Sequence, residues 1–492
     1  MKKIILYIAD KSFFNPIKYT LNIILKTLGI DYEILFYSNL NANEIEADTL
    51  IISYGSEKPK ISSSYHIHIY QSKLFGEDYK TQSSMPKLPS KRYKDTPVIY
   101  EGNGNLRGLV IRNENVIETN IDIIASSFFM LSRYEEYLVD ERDQYDRFPA
   151  SASVAYKEGF LTKPIVNEYI ELLWGWIDSF NLGFKRKKLW GDKDFAACLT
   201  HDIDEAKMWD RKGTYSEIRH WGSLTLKKRK PISAIRRMKK ALGLMINHID
   251  PYWNYKEIIK LEEQYGFSSS FYFFGGGNHF WDAKYSIHDK EMTNLLREIK
   301  DSGYEVGLHG SFESYNNLEM LQSEKESLEK IVGEVYSIRQ HFLRFDVKKT
   351  YAIYEKLGIK CDVTLGYAQH EGFRSGICLP YQPYSLDDDR PYKVTEIPLT
   401  VMDATLYEIK YKNLNSEESW QSVRQLLEVT KRFGGCIVIL WHNYYLEYLE
   451  HKDTAEVYRQ TLDWIAENNG VGMSVIKCII NNQNVVPGVI DG

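Results

Sequence analysis

Cysteine is scarce in this chain, five among 492 residues, and the five do not pair. Cys198, Cys361, Cys378, Cys436 and Cys478 form an odd set without a CxxC spacing, in apolar or strand-like contexts. That excludes a disulfide-stapled miniprotein and reads as buried thiols in a reducing compartment. Long hydrophobic runs are also missing, since no stretch approaches the ~18 uncharged apolar residues of a membrane span. The opening Met1-Lys2-Lys3 leads into an apolar run that stops at Ala9-Asp10, short of the ~7–15-residue core of a signal peptide. A first strand is expected there rather than an export signal, and a cytoplasmic location with it. Charge of one sign is not in excess either: 62 Lys and Arg against 67 Asp and Glu leave a net charge of -5, which argues against whole-surface nucleic-acid binding. With 43% hydrophobic and 26% charged residues the composition is that of an ordinary globular protein, too long for one domain.

Short apolar runs at 4–8, 32–37, 49–54 and 66–70 surround a helix-like stretch at 17–28, predicting a small N-terminal α/β domain over 1–115. Gly102-Asn103-Gly104-Asn105 marks a turn between strands. Residues 121–139 carry a helical period through Ile123, Ile124, Phe128, Phe129, Leu131 and Tyr134, and 165–180 carry another with Trp174 and Trp176, predicting a helical connector over 116–190. His66 and His68 stand at strand spacing among apolar residues and read as structural.

From about residue 192, strands at 195–200, 269–274, 304–308, 338–342, 394–399 and 436–441 interleave with helices at 255–265, 289–301, 323–332, 347–357 and 420–433. Strict β/α alternation predicts a parallel sheet closed as an incomplete TIM-like barrel over 191–492, with chemistry at the strand C-termini. Between its first two strands lies a basic stretch with Lys227-Lys228-Arg229-Lys230 and Arg236-Arg237-Met238-Lys239-Lys240. Segment 227–240 reads either as a solvated insertion or as an arm for an anionic membrane surface or polyanionic glycan. It has no interleaved aromatics to stack bases, and no nucleic-acid partner is expected.

The candidate chemistry sits where these strands end. Thr200-His201-Asp202-Ile203-Asp204 puts two carboxylates two residues apart at a strand's C-terminal edge, a place for a base and a metal ligand. The strand at 304–308 delivers His309, the next presents Arg339 and His341 on one face, and the last ends Leu440-Trp441-His442. One such histidine is ordinarily structural, but three strands ending in His beside one ending in DxD mark a site.

These residues resemble the polysaccharide deacetylases of carbohydrate esterase family 4, whose domain is an incomplete (β/α) barrel holding one divalent metal, commonly zinc. The likeness covers roughly residues 192–478. Asp202 and Asp204 stand for that family's Asp-Asp motif with one residue inserted between them; His309 matches the first His of its His-Ser/Thr-x-x-His motif, with Glu313 at the second. Arg339-Gln340-His341-Phe342 approximates Arg-x-Pro-Tyr, and Leu440-Trp441-His442 meets Leu-x-His. The altered motifs, with Asp362 to Tyr367, Gly372-Phe373-Arg374-Ser375-Gly376 and Met402-Asp403, look like a divergent bacterial branch of the family. Upstream, Phe129-Met130-Leu131-Ser132-Arg133-Tyr134-Glu135-Glu136-Tyr137 and Pro164-Ile165-Val166 are similar to that branch's N-terminal domain of unknown function.

The resemblance implies a hydrolase of carbon–nitrogen bonds that removes N-acetyl groups from an amino-sugar-containing glycan, nucleotide sugar or lipid-linked precursor. Asp202 would be the base, Asp204 and His309 metal ligands and His442 the acid. Asp403 or Asp362 would hold the His442 tautomer, and Arg339 or Arg374 would orient Asp202 or an anionic substrate. The third ligand is either His341 or Glu313, with zinc the expected metal. Arg374, Tyr367 and Trp441 are the expected substrate contacts, with Tyr381 and Tyr384 also available to stack sugars. Phe373-Arg374 also allows a blander reading, a buried ion pair with Asp362. Two rivals stand beside this reading: a catalytically silent glycan- or lipid-carrier-binding protein with a degraded metal site, and another metal-dependent hydrolase acting on a phosphoester or a different amide.

Overall fold

The computed structural model describes residues 4–9, 11–36, 49–60, 65–209, 249–447 and 451–481. The basic segment 227–240 lies outside them.

The first sheet runs in the order Tyr32–Phe36, Ile4–Ile8, Leu50–Gly55, Tyr65–Tyr70, Val116–Thr119, Val110–Asn113. All neighbours are parallel except the final hairpin. The sheet therefore extends past residue 115, to Thr119. The helix Phe14–Leu28 buries Ile17, Leu21, Ile24, Leu25 and Leu28, one face at helical spacing. It stops at Gly29, whose φ of 71° is left-handed and free of strain only in glycine. His66 and His68 are buried, their Nε2 and Nδ1 at 2.6 and 2.7 Å from Ser53 Oγ, in the structural role their setting implies. The expected helix at 121–139 is two helices, Ile123–Leu131 and Tyr134–Leu138. The break falls at Arg133, with φ 52°, because its buried guanidinium turns inward to Glu135 and Glu136.

The second sheet follows the order Thr395–Glu396, Cys361–Asp362, Ser337–Gln340, Glu305–Gly310, Ser270–Phe274, Phe195–Asp202, Cys436–Leu440, Leu399–Met402, and all its pairs are parallel. Gly470–Met473 adds to the start of Phe195–Asp202. Its central strands Phe195–Asp202 and Cys436–Leu440 are buried throughout, the second wholly apolar and the first apolar as far as Leu199, as a parallel sheet covered on both faces requires. The two edge strands, Thr395–Glu396 and Leu399–Met402, are consecutive in the chain, with only Ile397 and Pro398 between them. The expected single strand at 394–399 is broken there by a proline that has no N–H for a ladder. One short bend thus carries the chain from one edge of the sheet to the other, and the sheet must curl to allow it. The result is a curled parallel half-barrel.

Helix Ser416–Arg432 starts with a full capping box, Asn415 and Glu418 each bonding the other's backbone N–H. The five cysteines are buried free thiols. Three of them, Cys198, Cys436 and Cys478, touch with Sγ–Sγ distances of 3.6 and 3.7 Å, those of packed thiols. Among the described residues no helix is long and apolar enough to cross a membrane.

Candidate active site and metal centre

Every strand named above as carrying chemistry ends on the same face of the half-barrel, the C-terminal face where such folds place ligands. Asp202 is the last residue of its strand, His309 stands one residue before the end of Glu305–Gly310, and Arg339 the same in Ser337–Gln340. His442 follows Cys436–Leu440 by two residues, and Asp403 opens the helix after Leu399–Met402.

His309 Nδ1 lies 2.8 Å from the Arg339 carbonyl, and His341 Nε2 lies 3.1 Å from the Trp281 carbonyl. A carbonyl only accepts, so these two nitrogens carry the protons. The other nitrogens, His309 Nε2 and His341 Nδ1, are left as lone-pair donors facing each other at 3.2 Å. Asp204 Oδ1 faces both, at 3.2 Å from His309 and 3.5 Å from His341, and this buried oxygen accepts no hydrogen bond. With both imidazoles neutral, these three donor atoms form a triangle with edges of 3.2, 3.2 and 3.5 Å. A tetrahedral zinc site with bonds of about 2.0–2.1 Å has edges of about 3.3–3.4 Å. Asp204, His309 and His341 therefore fit a divalent metal in both chemistry and spacing.

The electrostatics agree for Asp204 and His341, and run the other way for His309. Burial would raise the Asp204 carboxyl, but the imidazoles of His341, His309 and His442 hold it well below the usual carboxylate range. Burial lowers His341 to about 4, which keeps it neutral as a ligand must be. His309 is raised, because Asp202 and then Asp204 outweigh its burial, so a divalent cation held there would have to displace that proton.

Asp202 and His442 flank the trio. Asp202 Oδ1 accepts from Arg339 Nη1 at 2.9 Å, and its Oδ2 lies 3.8 Å from His309 Nε2. Arg339, wholly buried, also donates to Thr200 Oγ1 and the Val363 carbonyl and lies 5.0 Å over the Tyr272 ring. On the other side His442 Nδ1 sits 2.7 Å from Asp403 Oδ1, and its Nε2 points toward Asp204 Oδ2 at 3.5 Å. Burial works against the His442 imidazolium, but Asp403 outweighs it and lifts the imidazole to about 10, so His442 holds a proton on Nε2 toward the cavity. That cavity, of about 120 Å³, also touches Arg147, Phe342, Lys410 and Tyr444. Beside it lies a groove of about 1040 Å³ that shares Asp204, His341, Phe342 and Tyr444 and carries the exposed rings of Phe280 and Trp281.

Several expected residues lie elsewhere. Glu313 is exposed on the loop after His309, outside the donor trio. Arg374 is buried against Glu136, with 2.9 and 2.6 Å bonds to its two oxygens, rather than against Asp362 or substrate. Asp362 instead bonds Thr364 and neighbours Glu396 in the adjacent strand; it does not reach His442, which is held by Asp403. Tyr367 packs with Phe148, Ala150 and Ala152, and Trp441 is fully buried against Tyr407 and Tyr458, so neither lines the cavity. Tyr381 and Tyr384 are buried as well. Three contributors went unrecognised in the sequence. The Trp281 carbonyl is a backbone group with no residue signature, while Arg147 and Lys410 enter from segments far from the motifs.

Residues 4–181 match the family described as "Family of unknown function (DUF7033)". Among solved structures, the chain is similar to a Mycobacterium smegmatis protein assigned to the polysaccharide deacetylases, at 14% identity over 59% of this chain and 91% of that one, TM-score 0.40. It is also similar to the peptidoglycan deacetylase PdaC of Bacillus subtilis, at 10% identity over 59% and 92% and a TM-score of 0.28. A GH57-type branching enzyme of Pyrococcus horikoshii is similar at 10% identity over 58% and 70%, TM-score 0.31. No curated protein matches the chain.

Proposed function

We propose that the chain is a metal-dependent hydrolase that removes the N-acetyl group from an amino sugar in a glycan or glycan precursor. The observation that carries this reading is the protonation pattern across one cavity: three lone-pair donors converge on one point, with a carboxylate on one side and a protonated imidazole on the other. A metal held by Asp204, His309 and His341 would supply Lewis-acid polarisation of the acetyl carbonyl and of water.

The protein's own groups divide the remaining work. Asp202 takes the proton of the attacking water through the oxygen that Arg339 leaves free, and Arg339 fixes the plane of that carboxylate by binding its partner oxygen. His442 gives its Nε2 proton to the departing amine, while Asp403 keeps Nδ1 protonated and the ring in place. The narrow cavity suits an acetamido group, and the larger groove beside it, with Trp281 and Phe280 exposed, suits sugar rings stacking on aromatic faces.

Release of acetate from N-acetylglucosamine oligomers, assayed with zinc and with each of Asp202→Asn and His442→Ala, tests the reading. Each substitution is expected to lower turnover by roughly 10²–10⁴-fold with the metal still bound. Unchanged acetate release in both variants contradicts these roles.

A further inference from the structure

The ligand His341 is followed by two residues in the left-handed region, Phe342 at φ 60° and Leu343 at φ 55°. Neither is glycine or asparagine, and two consecutive bulky residues there need outside support. The sequence at 338–342 predicts a strand running on through Phe342. Instead the strand stops at Gln340, and the left-handed turn swings His341 over to Asp204 and His309.

The support comes from a part of the chain almost two hundred residues upstream, inside the region that matches the family of unknown function. Arg147 Nη1 donates to the Phe342 carbonyl at 2.9 Å. Its guanidinium is itself locked: Nε bonds Asp143 Oδ2 at 2.8 Å, Nη2 pairs with the same oxygen at 2.7 Å, and the group lies 4.8 Å from the Tyr145 ring centre. Arg147 is 5% exposed, so the bond to Phe342 is sheltered from water. Tyr145 in turn packs on the Phe342 ring at 4.9 Å, and Arg344, just after the turn, donates to the Tyr145 carbonyl at 2.9 Å. The same loop is pinned at a second place, where Tyr315 donates to Asp146.

We infer that Arg147 is a positioning residue for the metal centre: through the Phe342 carbonyl it holds the left-handed turn that aims His341 Nδ1 at the other two ligands. The upstream region is then part of the site. This rests on the metal-site reading above, and it assigns to the N-terminal region a duty that the barrel motifs leave open.

The test compares zinc affinity, by competition with a chelator, and the melting temperature of the metal-free protein, across the full-length wild type, Arg147→Met, Arg147→Lys and Tyr315→Phe. Methionine keeps much of the bulk of Arg147 and cannot donate. It is expected to weaken zinc binding about 10–100-fold, the usual cost of losing an outer partner of a ligand. Lysine, which keeps a donor for the Phe342 carbonyl, restores part of the affinity. Tyr315→Phe loosens the same loop without touching Phe342 and leaves zinc affinity within about threefold. Wild-type protein that binds no zinc overturns the metal reading and this inference together. Zinc-binding wild type with an equally tight Arg147→Met overturns the positioning role alone. So does a Tyr315→Phe variant as impaired as Arg147→Met, because the effect then belongs to the loop's general seating.

Discussion

Arg339 and Asp202 meet across the inside of the half-barrel at 2.9 Å, and this contact holds one carboxylate oxygen of Asp202 while the other lies 3.8 Å from His309 Nε2. Both groups are buried, so the pair is shielded from salt and its geometry is stiff. Lysine at position 339 cannot reproduce the planar fork that also reaches Thr200 and the Val363 carbonyl. Arg339→Lys is expected to cut kcat by about 10²-fold while leaving zinc content unchanged. Steady-state kinetics with elemental analysis check this, and a change confined to KM would place Arg339 in substrate binding instead.

Asp403 faces His442 through both a side-chain contact to Nδ1 and a bond from the His442 backbone N–H. An amide at 403 still occupies the space but no longer favours the imidazolium. Asp403→Asn is therefore expected to lower kcat by roughly 10²–10⁴-fold with little loss of melting temperature. A variant with normal turnover would assign the acid role to another group.

Glu136 lies between two buried arginines, Arg133 and Arg374, and binds both. Burial alone would raise its carboxyl, but Arg374 and Arg133 draw it from 4.5 down to about 2. A depressed folded value means the contribution is present at pH above about 4.5 and disappears as pH falls toward 2, on the order of 3 kcal/mol in all. Unfolding by urea measured from pH 6 down to pH 3 should show this loss in wild type and a flatter profile in Glu136→Gln. Because Glu136→Ala leaves the buried Arg374 without its carboxylate and Arg133 with Glu135 alone, it is expected to cost about 3–5 kcal/mol. Wild-type stability that does not fall across that window contradicts the role given to Glu136.

Gly275 follows the strand Ser270–Phe274, and a Cβ there would come 2.0 Å from the Glu324 carbonyl oxygen. Backbone cannot yield as a flexible side-chain tip does, so Gly275→Ala is expected to destabilise by about 1–3 kcal/mol. Thermal unfolding checks it; an unchanged melting temperature would mean the two segments separate freely.

These particulars show what a sequence can and cannot carry. The strands ending in Asp202, His309, Arg339 and His442 are legible because hydrophobic runs and the residues that stop them are local patterns. The pairing of Asp403 with His442 follows from two adjacent strands, and His341 was visible as one of two candidate ligands. The Pro398 break that curls the sheet was missed, because apolar residues continue on both sides of it. Arg374 illustrates the harder case: its partner Glu136 lies in the helix Tyr134–Leu138, and contacts across 238 residues leave no periodic trace. The Trp281 carbonyl that fixes the His341 tautomer has no side-chain signature. Aromatic residues such as Tyr367 and Trp441 look alike in sequence whether they line a groove or fill a core, and here they are buried.

The proposed chemistry depends on one coordination set, so the most direct measurement is metal stoichiometry of the purified chain, offered zinc and then freed of excess, for wild type, Asp204→Ala, His341→Ala and Glu313→Ala. One zinc per chain is expected in wild type and in Glu313→Ala, whose position is exposed and outside the trio, and a large loss in Asp204→Ala and His341→Ala. No zinc in wild type, or zinc retained in His341→Ala and lost in Glu313→Ala, contradicts it.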